Sequence, residues 1–303
     1  MVKMKINGKV VKAEEGQSVL DTAKANGILI PTLCSQDALK PYGACRLCIV
    51  EIAKNGRTTV ETSCTYPAEE GLEVKTDTPR ILEGRKMVIE LLLARCPSVP
   101  SIKKLAQEYG IKDCPPQIKK ENDECILCGL CVRACNEVVK AGAIQFAKSG
   151  LYKIVDSPFH RTAEDCIACG ACVFICPTGV IKKKDEQQTP SGPKRLIENW
   201  QVEHKLRECK KCGNPFAPEP HLEKVRQEKN LPGEFFNLCQ SCRQYPVVDE
   251  DKCLGCGGCM ENCPLGAMEL DDKGGYDKKA HLYTQNCTAC HSCEPICPVQ
   301  AIS

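Results

Sequence analysis

Tryptophan occurs once in this 303-residue chain, and aromatic residues make up only 5% of it. One large aromatic core is therefore not expected, because Phe, Tyr and Trp dominate the burial in such cores. There is no run of about 18 apolar residues, so no membrane-spanning helix is predicted. Met1-Val2-Lys3-Met4-Lys5 leads into an alternating strand, with no apolar leader behind it and no twin-arginine pair. No G-x-G-x-x-G opens a helix after a strand, and neither a Walker loop nor H-E-x-x-H occurs, so dinucleotide binding has no support. Net charge is low, at +2 with cysteines counted as neutral. The basic runs Lys119-Lys120 and Lys182-Lys183-Lys184 read as solvated stretches or docking surface, and nothing suggests nucleic-acid binding.

What the chain has in excess is cysteine: 26 residues, almost all in tight C-x2-C groups. Without a leader, that spacing favours metal binding in a reducing, cytosolic location over disulfides. Four stretches carry C-x2-C-x2-C-x3-C, the signature in which three close thiolates hold one 4Fe–4S cubane and the fourth reaches the neighbouring cluster. Crossed ligation predicts Cys125, Cys128, Cys131 and Cys176 around one cluster, and Cys166, Cys169, Cys172 and Cys135 around its neighbour. In the C-terminal pair, Cys253, Cys256, Cys259 and Cys297 would hold one cluster and Cys287, Cys290, Cys293 and Cys263 the other. Zinc in each triad fails on count, because zinc takes four thiolates in a tetrahedron. Cys176, Cys263 and Cys297 are followed by proline as the motif asks; Cys135 is followed by Asn136.

Length alone suggests about two domains, but small repeated modules override that prior. The expected fold class is α+β. Residues 1–77 read as a β-grasp domain, 78–116 as a helical connector and 117–184 as a 2×4Fe–4S ferredoxin-like module. Residues 185–245 read as a linker and zinc-ribbon-like module, and 246–303 as a second 2×4Fe–4S ferredoxin module. In the first domain, residues 3–6 and 9–13 alternate around Asn7-Gly8, and residues 47–53 and 58–62 flank Asn55-Gly56. Ser18 caps a helix over 19–26, with Gly27 as its stop. Cys34, Cys45, Cys48 and Cys64 punctuate this fold, and four loop thiolates at that spacing suit a 2Fe–2S centre. Zinc or four core cysteines is the plainer alternative.

The spacing differs from the plant ferredoxin run. Ile30-Pro31-Thr32-Leu33-Cys34, Gly43-Ala44-Cys45-Arg46-Leu47-Cys48-Ile49-Val50-Glu51 and Cys64-Thr65-Tyr66-Pro67 resemble the N-terminal iron–sulfur domain of the large electron-input subunit of respiratory complex I. The same domain opens NAD-linked FeFe-hydrogenases and some formate dehydrogenases. The resemblance covers about residues 1–184, and Asn136 and the 30-residue gap between Cys135 and Cys166 are shared with that family. In the family, the helix after the first domain is followed by a site of one histidine and three cysteines for another cubane. Here Thr78-Pro79 starts that helix, and Ser101 is expected to cap a second one ending at Gly110, but the histidine and most of the cysteines are absent. Cys96 and Cys114 remain, read as structural or free, with a ligand role beside a partner subunit as the alternative. Electrons would then cross directly from the 2Fe–2S centre to the first cluster pair, or leave elsewhere.

Residues 182–194 read as a charged surface linker. Cys209, Cys212, Cys239 and Cys242 form two C-x2-C knuckles 26 residues apart, which suit a structural zinc. A rubredoxin-like iron or a fifth 4Fe–4S cluster are the alternatives. His204 and His221 read as ordinary surface histidines. The cofactor set is thus one 2Fe–2S, four 4Fe–4S and one zinc. Six such sites at roughly −2 each take the loaded chain to about −10.

No catalytic domain accompanies these motifs, so an electron-transfer subunit without a catalytic site of its own is expected. The resemblance implies a flavin partner subunit that handles NAD(P)H at one end. At the other it implies a hydrogenase, formate dehydrogenase or aldehyde oxidoreductase subunit, or soluble ferredoxin, with an electron-bifurcating complex as one setting. A free polyferredoxin carrier is the second reading, and a redox-sensing or cluster-delivery protein the third.

Overall fold

The computed structural model describes residues 1–115, 123–160, 163–231, 233–272 and 278–303, so Lys119-Lys120 lie outside the described residues. The chain divides into two units. One comprises Met1–Cys166, Gly170–Lys183 and Ile197–Gln201; the other comprises Ile167–Cys169, Lys184–Leu196 and Val202–Ser303.

Two tight turns set the first sheet. β1 (Val2–Ile6) and β2 (Lys9–Ala13) pair antiparallel, with Val2 opposite Ala13 and Ile6 opposite Lys9. Asn7 and Gly8 between them are both left-handed, at φ 50° and 81°, as a two-residue turn matching strand twist requires. β3 (Ile49–Lys54) and β4 (Arg57–Thr62) repeat the device at Asn55-Gly56. α1 (Val19–Ala25) begins where Ser18 Oγ accepts the Asp21 N–H at 3.1 Å and ends before Gly27 at φ 71°. Alternation does not reveal β5 (Glu73–Lys75), which is three residues long. It is nonetheless the central strand: the order is β2-β1-β5-β3-β4, with β5 parallel to β1 and antiparallel to β3. Met4, Ile6, Val50, Ile52 and Val74 alternate onto the face that α1 covers with Val19, Leu20 and Ala23. Each fully buried aliphatic side chain there contributes about 1.5–3 kcal/mol.

α2 (Pro79–Arg95) has its cap in Thr78, whose Oγ1 accepts the Ile81 N–H at 3.3 Å, and proline in its first turn. Its buried Arg85 donates to the carbonyls of Leu47 at 3.1 Å and Ile49 at 2.8 Å and pairs with Asp77 at 3.2 Å. One side chain thus ties α2 to the loop carrying Cys45 and Cys48. α3 (Pro100–Glu108) starts earlier than expected: Val99 stands at its N-cap without a side-chain cap bond. Ser101 is inside the helix and donates to the Pro177 carbonyl at 2.9 Å. Beyond it come α4 (Leu130–Arg133), a π-helical turn Ala134–Val138, the hairpin β6 (Gln145–Ala147) and β7 (Ile154–Asp156), and α5 (Ala171–Ile175).

β8 (Lys183–Glu186), β9 (Lys194–Ile197), β10 (Val202–Glu208) and β11 (Pro215–Pro218), which belong to the second unit apart from the strand ends Lys183 and Ile197, form a sheet in the order β11-β10-β9-β8. The expected 182–194 linker is therefore largely a hairpin, closed where Thr189 Oγ1 donates to the Gly192 carbonyl at 2.5 Å. Its lysines pair with acids, as half-buried Lys194 does with Glu203 at 2.8 Å, which is why its composition looks like loop. α6 (Glu219–Lys229) follows, then α7 (Gly258–Glu261) and the hairpin β12 (Met268–Asp272) with β13 (Lys278–Leu282). The chain end pairs back onto residues 247–249: Asp249 N–H donates to the Ala301 carbonyl and Val247 N–H to Ser303, both at 2.7 Å. No helix among the described residues is long and apolar enough to cross a membrane.

Candidate metal centres

Cys34, Cys45, Cys48 and Cys64 are all buried, at 1%, 9%, 0% and 2% exposure. Cys48 Sγ lies 3.4 Å from Cys64 Sγ, and the Cys45 N–H points at Cys34 Sγ from 3.4 Å. The Cys34 thiol donates toward Cys45, holding the Cys45 thiol at about 5; Cys64 does the same for Cys48, holding it at about 6. Cys34 and Cys64 go up for the same reason, reinforced by burial. Four thiols in a dry site share protons because four thiolate charges there would be costly. A metal relieves that cost by binding the thiolates directly.

In the four C-x2-C-x2-C loops the residue before the second cysteine is left-handed: Leu127, Ala168, Gly255 and Ala289, at φ 53°, 48°, 65° and 54°. The residue after that cysteine is left-handed as well: Gly129, Gly170, Gly257 and His291. Two such residues turn successive N–H groups to the inside of the loop, a concavity suited to anionic sulfur. Accordingly the N–H groups of Leu127 and Ala289 point at Cys125 Sγ and Cys287 Sγ from 3.4 and 3.3 Å. The Ala267 and Ala301 N–H groups point likewise at Cys263 Sγ and Cys297 Sγ from 3.2 and 3.1 Å. His291 is the departure; its Nδ1 lies 2.5 Å from Glu294 Oε1.

Cys125, Cys128, Cys131 and Cys176 line one cavity of about 340 Å³ in the first unit, with Arg95 and Trp200 on its wall. Burial raises the Cys125 and Cys131 thiols and takes Cys128 up to about 11, with neighbouring cysteine charges, Cys45 among them, adding to the Cys128 rise. Burial also pushes Cys176 up, but the Thr178 hydroxyl and the N–H groups of Thr178, Val180 and Ile181 together outweigh it. α5, which carries Cys172, packs on α4 and on the π-helical turn carrying Cys135. With asparagine in place of the usual proline after Cys135, the helix runs on: Asn136 Nδ2 donates to the Val132 carbonyl at 2.8 Å. Cys166 and Cys169 are half-buried.

In the second unit Cys263, Cys287, Cys290 and Cys293 line a small cavity together with Thr288. Burial takes Cys293 up to about 12 and raises Cys287 and Cys259. Cys253, Cys259 and Cys297 belong to one apolar core with Met268 and Ile302, and Cys256 is exposed. The Sγ atoms of Cys209, Cys212, Cys239 and Cys242 all lie within 4.8 Å of one another. The Cys239 N–H, 3.3 Å from Cys209 Sγ, holds that thiol at about 6, while hydrogen bonding to Cys212 first of all pushes Cys242 up to about 12. Cys96 is buried in the apolar core beside Val99 and Ile102, and Cys114 is buried too.

The four-thiol site and the first cubane-type site are joined within the first unit. Cys34, Cys45 and Cys128 belong to one apolar core with Leu47 and Leu130. Arg133, 8% exposed, donates to the Cys34 carbonyl at 3.1 Å and also to the Lys40 carbonyl, with its guanidinium 5.2 Å from the Tyr42 ring centre. A Cβ at Gly129 would meet Phe146 at 3.2 Å and Tyr42 at 3.3 Å, so the two loops close on that glycine. Sequence patterns found the cysteines but neither Arg133 nor Trp200, which carry no motif.

The donor sets fit iron–sulfur groups on a further count. Among the described residues, three buried side-chain polar atoms have no hydrogen-bond partner: Thr32 Oγ1, Trp200 Nε1 and Thr288 Oγ1. Thr32 is two residues from Cys34, and Trp200 and Thr288 line the two cysteine cavities.

Comparison with known proteins agrees. A model of the 2Fe-2S iron-sulfur cluster binding domain matches residues 1–79, and models of 4Fe-4S dicluster domains match 124–180, 165–267 and 246–303. The NADP-reducing hydrogenase subunit HndD of Solidesulfovibrio fructosivorans is 32% identical over 211 residues, 60% of this chain and 36% of that protein. The NADPH-Fe(3+) oxidoreductase subunit alpha of Geobacter sulfurreducens is 32% identical over 207 residues, covering 61% and 24%. The mitochondrial NADH-ubiquinone oxidoreductase 78 kDa subunit of Candida albicans is 30% identical over 174 residues, covering 49% and 24%. The match thus spans about a quarter to a third of the length of these relatives. A chain in the crystal structure of an NAD+-reducing NiFe-hydrogenase in the H2-reduced state superposes with a TM-score of 0.51 at 26% identity, covering 59% of this chain and 85% of that one. This chain carries an N-terminal 2Fe-2S domain followed by 4Fe-4S dicluster domains, and in residues 1–184 it resembles the N-terminal iron–sulfur region of the complex I large electron-input subunit and NAD-linked hydrogenase subunits.

Proposed function

We propose that this chain is an iron–sulfur electron-transfer subunit of a multisubunit NAD(P)H-linked oxidoreductase, relaying electrons between a flavin subunit and a catalytic subunit. The observation that carries the reading is the single apolar core that holds Cys34 and Cys45 of the four-thiol site together with Cys128 of a cubane-type site. The ligand sets are Cys34, Cys45, Cys48 and Cys64 for 2Fe–2S, and the four crossed sets of the C-x2-C-x2-C-x3-C repeats for 4Fe–4S. The four thiolates at Cys209, Cys212, Cys239 and Cys242 would hold zinc in a zinc-ribbon-like module; the chain's other modules would be a β-grasp domain and two ferredoxin-like modules. When bound, an iron–sulfur group supplies reversible one-electron storage. The chain's own residues do the rest. Ile126 and Leu130 keep water from the first cubane site, loop N–H groups meet sulfur, and Arg85 and Arg133 fix the loops by their carbonyls. The relatives' names support an NAD(P)H-side partner. The proposed catalytic partner is of hydrogenase, formate dehydrogenase or aldehyde oxidoreductase type; exchange with ferredoxin, electron bifurcation and a cytoplasmic location belong to the same reading.

Native anaerobic purification tests it. Flavin-containing and catalytic subunits should co-purify with the chain, and its clusters should reduce when NAD(P)H is added to the complex. A lone 33.3 kDa species that exchanges electrons with many enzymes would instead mark a free polyferredoxin.

A further inference from the structure

Trp200, the chain's one tryptophan, is 7% exposed, and its Nε1 is shielded from solvent with no hydrogen-bond partner. Leaving a buried donor unpaired costs about 1–3 kcal/mol, so native structures seldom do so without a reason. The indole is held in place deliberately. The segment 197–201 docks beside the chain leaving Cys176: Glu198 N–H donates to the Lys182 carbonyl at 3.1 Å. Asn199 Oδ1 accepts the Lys182 N–H at 2.8 Å, and its Nδ2 donates to the Val180 carbonyl at 3.3 Å. Those bonds put Trp200 on the wall of the cavity that Cys125, Cys128, Cys131 and Cys176 line. Asp123 and Asp156 share that cavity wall, yet neither takes the indole N–H.

We infer that Trp200 donates its indole N–H to a sulfur of the cluster held by Cys125, Cys128, Cys131 and Cys176, and thereby raises the reduction potential of that cluster. The inference rests on the cluster assignment proposed above. The physical reason is direct. Reduction brings one electron from the donor side and adds negative charge to the sulfurs, and a fixed N–H donor stabilises the more negative state more. No proton is transferred, since the indole keeps its hydrogen. Trp200 acts through the sulfur it faces and is a tuning residue.

The test uses the full chain, reconstituted anaerobically. Trp200→Phe keeps the ring and removes the donor. In an EPR-monitored potentiometric titration one 4Fe–4S signal should move to lower potential while the others stay. A tenfold change in that one-electron equilibrium corresponds to about 59 mV. In wild-type chain exchanged into D2O, electron–nuclear double resonance of that signal should show an exchangeable coupling that Trp200→Phe lacks. Unshifted potentials at full iron content, or an unchanged coupling, would overturn the inference. Should the variant not fold, the wild type still decides the matter: emission from the sole indole must be quenched on cluster loading, and unquenched emission rejects it. Cys128→Ala separates the two levels of the argument. If it removes the cubane signal while the Trp200→Phe result is negative, the tryptophan inference alone fails. If it leaves every cubane signal intact, the ligand assignment fails.

Discussion

Arg133 donates to the carbonyl of Cys34 at 3.1 Å across 99 residues of sequence. It is a buried cation between the loop of the four-thiol site and α4, the helix that carries Cys131. Its other partners are the Lys40 carbonyl and Glu137, 3.5 Å from Nε, and Glu137 in turn accepts the Lys40 N–H at 3.1 Å. The cation therefore organises the 34–42 loop from the cubane side.

Replacing Arg133 by Met should keep both groups bound but loosen their junction. Hydrogen bonds to a charged donor are worth about 1.5–3 kcal/mol each, and at least one buried carbonyl would be left unpaired. The expected result is a lower thermal midpoint with unchanged iron content, and slower electron passage from the 2Fe–2S site by freeze-quench EPR. Arg133→Lys keeps the charge but not the fork, and should recover only part of the loss. A variant with wild-type transfer rates would remove Arg133 from this role.

Gly255 should be irreplaceable for a reason the other repeats do not share. At the equivalent position the other loops carry Leu127, Ala168 and Ala289 with similar positive φ, so a side chain is tolerated there in principle. At Gly255, however, an added Cβ would run into the backbone carbonyl of Lys278 in β13. Gly255→Ala should therefore lose the Cys253, Cys256, Cys259 and Cys297 cluster, roughly four irons per chain. Gly266→Ala, at φ 61° in open space, suffers only the left-handed strain of about 1–2 kcal/mol and should keep its iron. Equal iron in both variants would contradict the packing argument.

The cysteine motifs were legible because a cluster loop is local: spacing, small residues and turn chemistry all lie within about ten residues. The hairpins at Asn7-Gly8 and Asn55-Gly56 and the Ser18 and Thr78 caps were legible for the same reason. β5 was not, since Val74 gains its place from Ile6 and Ile52, far off in sequence. Ser101 fits a capping pattern, but Pro177 recruits its hydroxyl and Pro100 already starts the helix. The 182–194 hairpin was hidden by charge, because its lysines and acids satisfy each other across strands and leave no apolar alternation. Arg133 and Trp200 escape any pattern, because a lone cation or indole acquires a role only from the tertiary neighbours it meets.

Stability of the second unit should carry a histidine signature. His221 on α6 is half-buried, and burial first, then the charge of Arg195, holds its imidazole below the usual value. Below about pH 6.5 the unfolded chain then binds more protons than the folded one. This contribution is fully present above that pH and is lost as the pH falls toward the depressed folded value. Denaturant unfolding at pH 8.0 and 6.0 should show the wild type losing more stability than His221→Gln. Identical losses would place the pH dependence elsewhere. Arg195 remains engaged in either case, with Asp185 at 2.7 Å.

The four thiols at Cys209, Cys212, Cys239 and Cys242 should bind one metal ion independently of the iron–sulfur groups. Their Sγ atoms already lie within 4.8 Å of one another, so little chain ordering remains to be done on binding. The Cys239 N–H holds Cys209 at about 6, so at pH 7.5 that thiol is already a thiolate, whereas Cys242, pushed up to about 12, is protonated. Zinc added to chelator-stripped chain at pH 7.5 should therefore release fewer than four protons, measured by calorimetry in buffers of different ionisation enthalpy. As the pH drops through 6, protonation of Cys209 adds a further proton to displace and binding should weaken more steeply. Cys209→Ser should lose the zinc by elemental analysis and retain the full iron count. Loss of iron along with the zinc, or release of all four protons at pH 7.5, would show that the thiols are not the preorganised, separate site that their geometry implies.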